Sequence, residues 1–128
     1  MSKEYVSGER ESSRSYSKVV KTQGGTTLYL AGVGGSTDSD GNVLDFAGQT
    51  RMALARLDAN LHEAGGSLAD LTTMTVFITD VRFGDEFTQI RKEFFAEGKY
   101  PGSALITVTG LARPEMHVEI QGIAVIDE

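Results

Sequence analysis

The chain has 128 residues, of which 40% are hydrophobic, and it contains no cysteine. This length predicts one compact domain, residues 1–128, whose polar first fifteen or so residues are expected to be loosely ordered. The formal net charge of -6 argues against a protein that binds the phosphate backbone of nucleic acids. Without cysteine, the chain can form neither a disulfide nor a cysteine zinc site.

No apolar stretch is long enough to span a membrane, and the polar N-terminus lacks the apolar segment of a signal peptide. The absence of cysteine fits the reducing conditions of the cytosol. We therefore expect a cytoplasmic protein that has neither nucleic acid nor a membrane as a partner.

The first half of the chain predicts two strands and a long helix. Residues 17–22 and 26–31 have strand-like composition, and the sequence QGG at 23–25 predicts a hairpin between them, because glycine readily adopts positive φ. Apolar residues then recur at helical spacing over residues 45–64. A glycine pair follows this stretch and predicts the C-terminal end of an amphipathic helix.

The second half predicts a strand, a helix and two further strands. Residues 72–79 (TTMTVFIT) are rich in β-branched side chains, which favour a buried strand. A helix should start near Gly84 and end near Gly98, with its aromatic residues facing inward. Residues 104–109 and 117–126 predict two last strands, joined as an antiparallel hairpin. The order β-β-α-β-α-β-β predicts an α+β fold with both helices on one face of the sheet.

The last predicted strand carries a carboxylate, Glu119, within an apolar run. Alternation places Val118 and Ile120 on one face and Glu119 and Ile123 on the other, so both faces are partly apolar. A half-buried carboxylate without a partner is costly, which makes Glu119 a candidate general acid or base. The second apolar face needs cover that so short a chain cannot supply, so we predict an oligomer.

Four segments together resemble the Rid family, also called YjgF-type proteins: residues 75–80 (TVFITD), 93–95 (EFF), 100–101 (YP) and 118–124 (VEIQGIA). The resemblance covers nearly the whole chain. It implies a homotrimer with a chorismate-mutase-like α+β fold and three ligand clefts between subunits. The best-known branch of that family hydrolyses reactive enamines and imines to ketoacids and ammonia. The resemblance therefore implies a deaminase that acts on a small imine or enamine without a cofactor or a metal.

The resemblance also assigns site residues one at a time. Glu119 matches the glutamate that positions or activates the attacking water, and Tyr16 matches a tyrosine before the first strand of the family pattern. Gly32 matches a glycine whose backbone lines the cleft. Thr88 stands where an asparagine is often found on the second helix. Ser103 stands where the deaminating branch has an arginine that grips the substrate carboxylate.

The serine at position 103 is the main departure from the family pattern. A hydroxyl cannot replace a guanidinium as a charged anchor, so Ser103 implies either altered specificity or lost catalysis. Arg113, in the predicted turn at 110–116, would substitute if that turn lay near a subunit boundary; the alternative is an ordinary exposed arginine. Ser103 would also leave room for a larger substrate, such as a dienamine similar to 2-aminomuconate.

Three kinds of function remain open at this point. The first is an enamine or imine hydrolase with Glu119 as the water-activating residue. The second is a catalytically inactive protein that binds a small metabolite in the same cleft. The third is an interaction or chaperone-like trimer; some relatives have been described as ribonucleases, but the acidic composition weighs against that activity here.

Overall fold

The computed structural model describes residues 1–127 of the chain. The strands and helices are β1 Ser2–Val6, α1 Glu9–Ser13, β2 Val19–Gln23, β3 Thr26–Val33, α2 Phe46–Glu63, β4 Leu71–Ile78, α3 Gly84–Arg91, β5 Gly102–Thr107 and β6 Val118–Ile126. Single turns of 3-10 helix, Leu68–Asp70 and Val81–Phe83, precede β4 and α3.

Four strands form one mixed sheet in the order β3-β6-β4-β5, and β1 and β2 form a separate antiparallel pair. β6 is antiparallel to both of its neighbours, whereas β5 runs parallel to β4 at one edge. Buried side chains of α2 and α3 share one hydrophobic core with those of β4 and β6. The predicted α+β fold, with its two main helices on one face of the sheet, is therefore confirmed.

Both predicted hairpins are wrong. The glycine turn exists, with φ of 73° at Gly24 and 82° at Gly25, but it leads from one sheet into the other, because β2 pairs with β1 and β3 pairs with β6. At the C-terminal end, β4 lies between β5 and β6. The burial of these strands explains their places: β6 is buried along most of its length and is paired on both sides, while the more exposed β5 occupies an edge.

The first fifteen residues, for which the sequence predicts loose order, contain β1 and α1. β1 pairs with β2 along its whole length, from Ser2 opposite Gln23 to Val6 opposite Val19. At the start of α1, Oε1 of Glu11 accepts a hydrogen bond of 2.9 Å from the backbone amide of Gly8. Local composition did not indicate this order, because β1 is held by its pairing with β2, which follows α1 in the chain.

Helix α2 confirms the predicted long helix. Oδ1 of Asp45 accepts a hydrogen bond of 2.8 Å from the amide of Gly48, as expected of a residue that caps a helix N-terminus. Gly65, with φ of 89°, reverses the chain after the helix. The buried apolar residues of α2 recur at helical spacing: Phe46, Ala53, Leu54, Leu57 and Leu61.

Helix α3 is shorter than predicted and ends at Arg91 instead of near Gly98. After it, the amides of residues 92–94 bond to carbonyls three positions earlier, which is the tighter geometry of a 3-10 helix. Phe95 is buried beyond this tightened turn, so the predicted inward position of that side chain holds although the helix has already ended.

The second face of the four-stranded sheet lacks cover within residues 1–127. Tyr29 of β3, which is 79% exposed, lies opposite the half-buried Ile123 of β6. Phe77 of β4 lies between Glu119 of β6 and Ile106 of β5, and Ile106 is 41% exposed. This is the apolar face for which the sequence predicts a neighbouring subunit.

Candidate functional site

A cleft of about 220 Å³ lies between residues 14–16, helix α3 and the edge strand β5. Its lining residues are Arg14, Tyr16, Thr88, Arg91, Ser103 and Leu105. Three predicted substrate-binding residues, Tyr16, Thr88 and Ser103, therefore share one cleft. The lining contains two arginines and no carboxylate, in a chain whose net charge is -6. The cleft is thus suited to an anionic group.

Tyr16 reaches the cleft because the chain on either side of it is fixed. Ser17 forms a parallel bridge with Gly102 of β5, and its amide donates a hydrogen bond of 3.0 Å to the carbonyl of Pro101. The hydroxyl of the same serine donates a 2.6 Å hydrogen bond to the carbonyl of Tyr100. These bonds hold the Tyr16 backbone alongside the start of β5, next to Ser103.

Ser15 is the one residue other than glycine with positive φ, 63°, among the described residues. It is fully buried, and its hydroxyl lies 2.7 Å from the carbonyl of Thr88 in α3. Backbone conformations of this kind persist where the surroundings fix them, and they are common at functional sites. Here the strained turn joins the wall formed by residues 14–16 to the wall formed by α3.

Thr88 lies on the buried side of α3, one turn before Arg91. Its hydroxyl donates a 2.7 Å hydrogen bond to the carbonyl of Asp85, so the side chain is already engaged within the helix. Its carbonyl accepts the bond from Ser15. Thr88 therefore shapes the cleft wall more than it offers a free polar group.

Arg91 is the functional candidate that the sequence analysis missed. Only 2% of the residue is exposed, and no carboxylate forms an ion pair with it within residues 1–127. Its guanidinium donates hydrogen bonds to the hydroxyl of Ser103 (2.7 Å), the hydroxyl of Ser15 (3.0 Å) and the carbonyl of Arg14 (3.1 Å). Burial lowers the pKa of Arg91 to about 10, and the nearby positive charge of Arg14 contributes in the same direction.

A signal for this arginine was present in the sequence. Gly84, Phe87, Thr88 and Arg91 follow one another at intervals of three, one and three residues, which places all four on one side of α3. All four are buried. A charged residue at the end of a helix is usually a surface residue that complements the helix dipole, which is why the pattern alone did not single it out.

Ser103 lies in β5 directly opposite Met74 of β4 and on the same side of the sheet as the helices. Its Oγ accepts the hydrogen bond from Nη1 of Arg91. The position where the family pattern has an arginine is therefore in direct contact with an arginine from another element.

Glu119 and Gly32 form a second group. Between the pairs Leu30–Gly122 and Val33–Ile120, two residues of β3 face one residue of β6, which is a β-bulge. The bulge brings Gly32 against the Glu119 side chain so closely that a Cβ at Gly32 would lie 3.0 Å from Oε2. Within residues 1–127, the Glu119 carboxylate has neither a hydrogen-bond donor nor an ion-pair partner.

The two groups lie on opposite sides of the same sheet. Ser103 shares the side of buried Met74, whereas Glu119 lies between the buried residues Val118 and Ile120 and points to the other side. A single copy of the chain therefore does not bring Glu119 and Gly32 together with Tyr16, Thr88 and Ser103 around one small ligand.

Arg113 joins neither group. It is exposed in the loop between β5 and β6, where its carbonyl accepts a hydrogen bond of 3.1 Å from the amide of Met116. It does not line the cleft that contains Ser103. Within one chain, the charge next to Ser103 comes from Arg91.

The part of the chain that the structure describes contains no group of three or more His, Asp or Glu side chains arranged to hold a metal ion. Residues 1–127 also include no helix long and apolar enough to cross a membrane.

Comparison with known proteins gives consistent matches over most of the chain. The family profile described as endoribonuclease L-PSP matches residues 8–126. A RutC family protein of Pyrococcus horikoshii is 31% identical over 111 residues, which are 85% of each protein. The crystal structure of YyfB from Yersinia pestis, a protein of the Rid family, superposes with a TM-score of 0.85, covering 98% of this chain and 100% of YyfB at 23% identity.

TdcF of Escherichia coli, described as a candidate reactive intermediate deaminase, is 35% identical over 83 residues, which are 63% of this chain and 64% of TdcF. A crystal structure of TdcF with bound serine superposes with a TM-score of 0.71 at 29% identity, covering 88% of each chain.

Proposed function

Because the chain belongs to the Rid (YjgF-type) family, we propose that it hydrolyses a reactive imine or enamine to a carbonyl product and ammonia. The observation that carries the proposal is the Glu119 carboxylate beside the bulge at Gly32, which has no partner within residues 1–127 and lies on the uncovered face of the sheet. The description of TdcF as a candidate reactive intermediate deaminase supports the same reaction class.

We propose that the complete site forms between two copies of the chain in a homotrimer. The uncovered sheet face carries Tyr29, Phe77, Ile106 and Ile123, which would be buried if three copies packed with these faces turned toward a common three-fold axis. In that ring, Glu119 and Gly32 of one copy would lie near the β5 edge of the next copy, along which the Ser103 cleft lies. A heterologous contact of this kind repeats three times when the rotation closes into a ring, giving three clefts.

The chemistry needs few groups. An enamine tautomerises to an imine, and a protonated imine carbon is already electrophilic. The Glu119 carboxylate would take a proton from water as the water oxygen bonds to that carbon, giving a carbinolamine. The same carboxyl group would return that proton to nitrogen and then take the hydroxyl proton, which passes to solvent, so that the C–N bond breaks and ammonia leaves as the C=O bond forms. One water is consumed for each ammonia released, and no cofactor is required.

The cleft around Ser103 would hold the remainder of the substrate. Its two arginines favour a substrate with a carboxylate, as in the imines of 2-ketoacids. Holding the reacting carbon close to an oriented water provides much of the rate acceleration expected of such a site.

A second candidate function is binding of a small amino acid or ketoacid without turnover. The observation that favours it is the substitution at Ser103, together with the serine seen in the TdcF structure. In that case the cleft and its positive charge would serve binding alone, and Glu119 would have no catalytic role.

Ammonia release from freshly generated 2-iminopropanoate, 2-iminobutanoate and 2-aminomuconate separates these functions. We expect acceleration of at least one substrate by the parent protein, with kcat reduced by about 10²- to 10⁴-fold in Glu119→Gln, since general acid–base catalysis contributes about that much. Glu4→Gln, on the exposed side of β1, is the matched control and should leave the rate unchanged. No acceleration across the panel, with a carboxylate ligand still bound, would favour the binding function.

A further inference from the structure

The guanidinium of Arg91 carries a buried positive charge that its known contacts do not neutralise. Four hydrogen bonds engage it, to Ser15, Met74, Ser103 and the carbonyl of Arg14, and Phe87 lies 5.0 Å beneath it. All of these partners are neutral. Because an arginine has five N–H groups, these four bonds leave one donor on Nη2 without an acceptor among the described residues.

A buried cation without a carboxylate is unfavourable, because desolvation is not repaid by an ion pair. The other cation of the cleft is different: Arg14 pairs with the exposed Asp85 at 2.9 Å, so its charge is already partly balanced at the rim. The unbalanced positive charge of the cleft is therefore that of Arg91.

Ser103 connects this charge to the cleft. Its oxygen accepts the bond from Nη1 of Arg91, and within residues 1–127 no acceptor takes the proton of its hydroxyl. A hydroxyl that accepts from a cation is a better donor, because hydrogen bonds in a chain polarise one another. Ser103 thus offers a polarised donor on the cleft side of the buried guanidinium.

We infer that Arg91 and Ser103 together form the carboxylate anchor of this protein, with the charge supplied from helix α3 and transmitted through the serine hydroxyl. The inference rests on the proposed function only for the choice of ligand, a 2-ketoacid or its imine. It explains how the chain does without an arginine at position 103. A smaller side chain, Ser103, takes that place on β5, and the positive charge lies behind it on Arg91 of α3.

A purely structural role for Arg91 is the competing explanation. Its bonds to Ser15 and to the carbonyl of Arg14 hold the strained turn against α3, and a structural role would require only those. It would not require selectivity for an anion. Binding of a charged ligand and its neutral ester therefore distinguishes the two explanations.

Calorimetric titration with 2-oxobutanoate and with its methyl ester makes that comparison without depending on turnover. We expect the parent protein to bind the acid at least about 10-fold more tightly than the ester, given the strength of charge-assisted hydrogen bonds. Arg91→Gln should weaken acid binding by about 10- to 100-fold and leave ester binding nearly unchanged, and Arg91→Lys should recover part of the loss.

A second anchor variant and a matched control complete the test. Ser103→Ala removes the transmitting hydroxyl but keeps Arg91, and we expect about 5- to 10-fold weaker binding of the acid. Arg10→Gln, on the exposed side of α1, is the matched control and should bind as the parent does. If Arg91→Gln fails to fold, as judged by circular dichroism, the parent's preference for acid over ester and its loss in Ser103→Ala decide the matter.

Equal binding of acid and ester by the parent protein, or unchanged acid binding in both folded Arg91→Gln and Ser103→Ala, would overturn the anchor. These outcomes are separate from failure of the proposed function. If the protein binds the acid through Arg91 but releases no ammonia, the anchor stands and the hydrolase function is wrong. If turnover is lost in Glu119→Gln but is unaffected in both anchor variants, the hydrolase function stands and the anchor is wrong.

Discussion

The two sides of the four-stranded sheet hold two different halves of a site. On the helix side, residues of one chain line the Ser103 cleft, and the Arg91 charge beside it is buried and fixed by hydrogen bonds to Ser15 and Ser103. On the other side, Glu119 lies beside a bulge, and within residues 1–127 its carboxylate has neither a bonding partner nor cover. We therefore propose that one copy of the protein binds the anion, whereas the proposed chemistry needs a second copy.

The largest effect should come from a substitution that prevents the chains from assembling. Ile123→Lys places a charge at the centre of the uncovered face, where burial in a trimer would be costly. We expect the variant to run as a monomer of 13.8 kDa and to lose ammonia release by more than about 10-fold, because the site would be incomplete. Light scattering after gel filtration and the ammonia assay are the measurements.

Ala59→Lys, on the exposed side of α2, is the control for the added charge and should keep both assembly and activity. A monomeric Ile123→Lys variant with full activity would show that a single chain holds the whole site.

A smaller effect should follow from changing the Glu119 half alone. Gly32→Ala puts a methyl group 3.0 Å from Oε2 of Glu119, which must displace the carboxylate by a few tenths of an ångström or more. We expect kcat to fall by about 10-fold, since misplaced catalytic groups lose rate steeply, while binding of 2-oxobutanoate changes little. The matched substitution Gly110→Ala meets no atom within 4 Å and should be neutral in both assays.

If Gly32→Ala weakens ligand binding as strongly as it slows ammonia release, the two halves are not separate in function, and the division between binding and chemistry is wrong.

The smallest expected effect is the dependence of ligand binding on pH. Burial lowers the pKa of Arg91 to about 10 in the free protein, so the guanidinium is protonated at neutral pH and loses its proton as the pH passes that value. Because the carboxylate binds the protonated form, affinity for 2-oxobutanoate should be constant from about pH 6 to 9 and fall above about pH 10. The Arg91→Gln variant should lack that fall, as calorimetry at several pH values would show.

Sequence patterns predicted the helices and strands of the core better than they predicted which strands pair with each other. The long helix α2 and the buried strand β4 were predicted because their apolar spacing is local. Both hairpins were wrong, since the partner of a strand depends on contacts that are distant in the sequence, and β6 inserts between β3 and β4.

The candidate site was predictable to a similar extent. Tyr16, Thr88 and Ser103 were named from a resemblance and do line one cleft, while Arg113 lies elsewhere. The spacing of Arg91 on α3 was a signal, but the arginine was missed because its partners, Ser15 of the strained turn and Ser103 of the edge strand, come from other parts of the chain.

The most direct test of the shared site is to mix two inactive variants. Glu119→Gln removes the chemical half, and Ser103→Phe fills the 220 Å³ cleft of the binding half. If the site forms between copies, trimers refolded from an equal mixture should regain about one quarter of the parent activity, because about one cleft in four combines two intact halves. No recovery above the separate variants, in mixtures shown to contain both chains, would contradict a site shared between subunits.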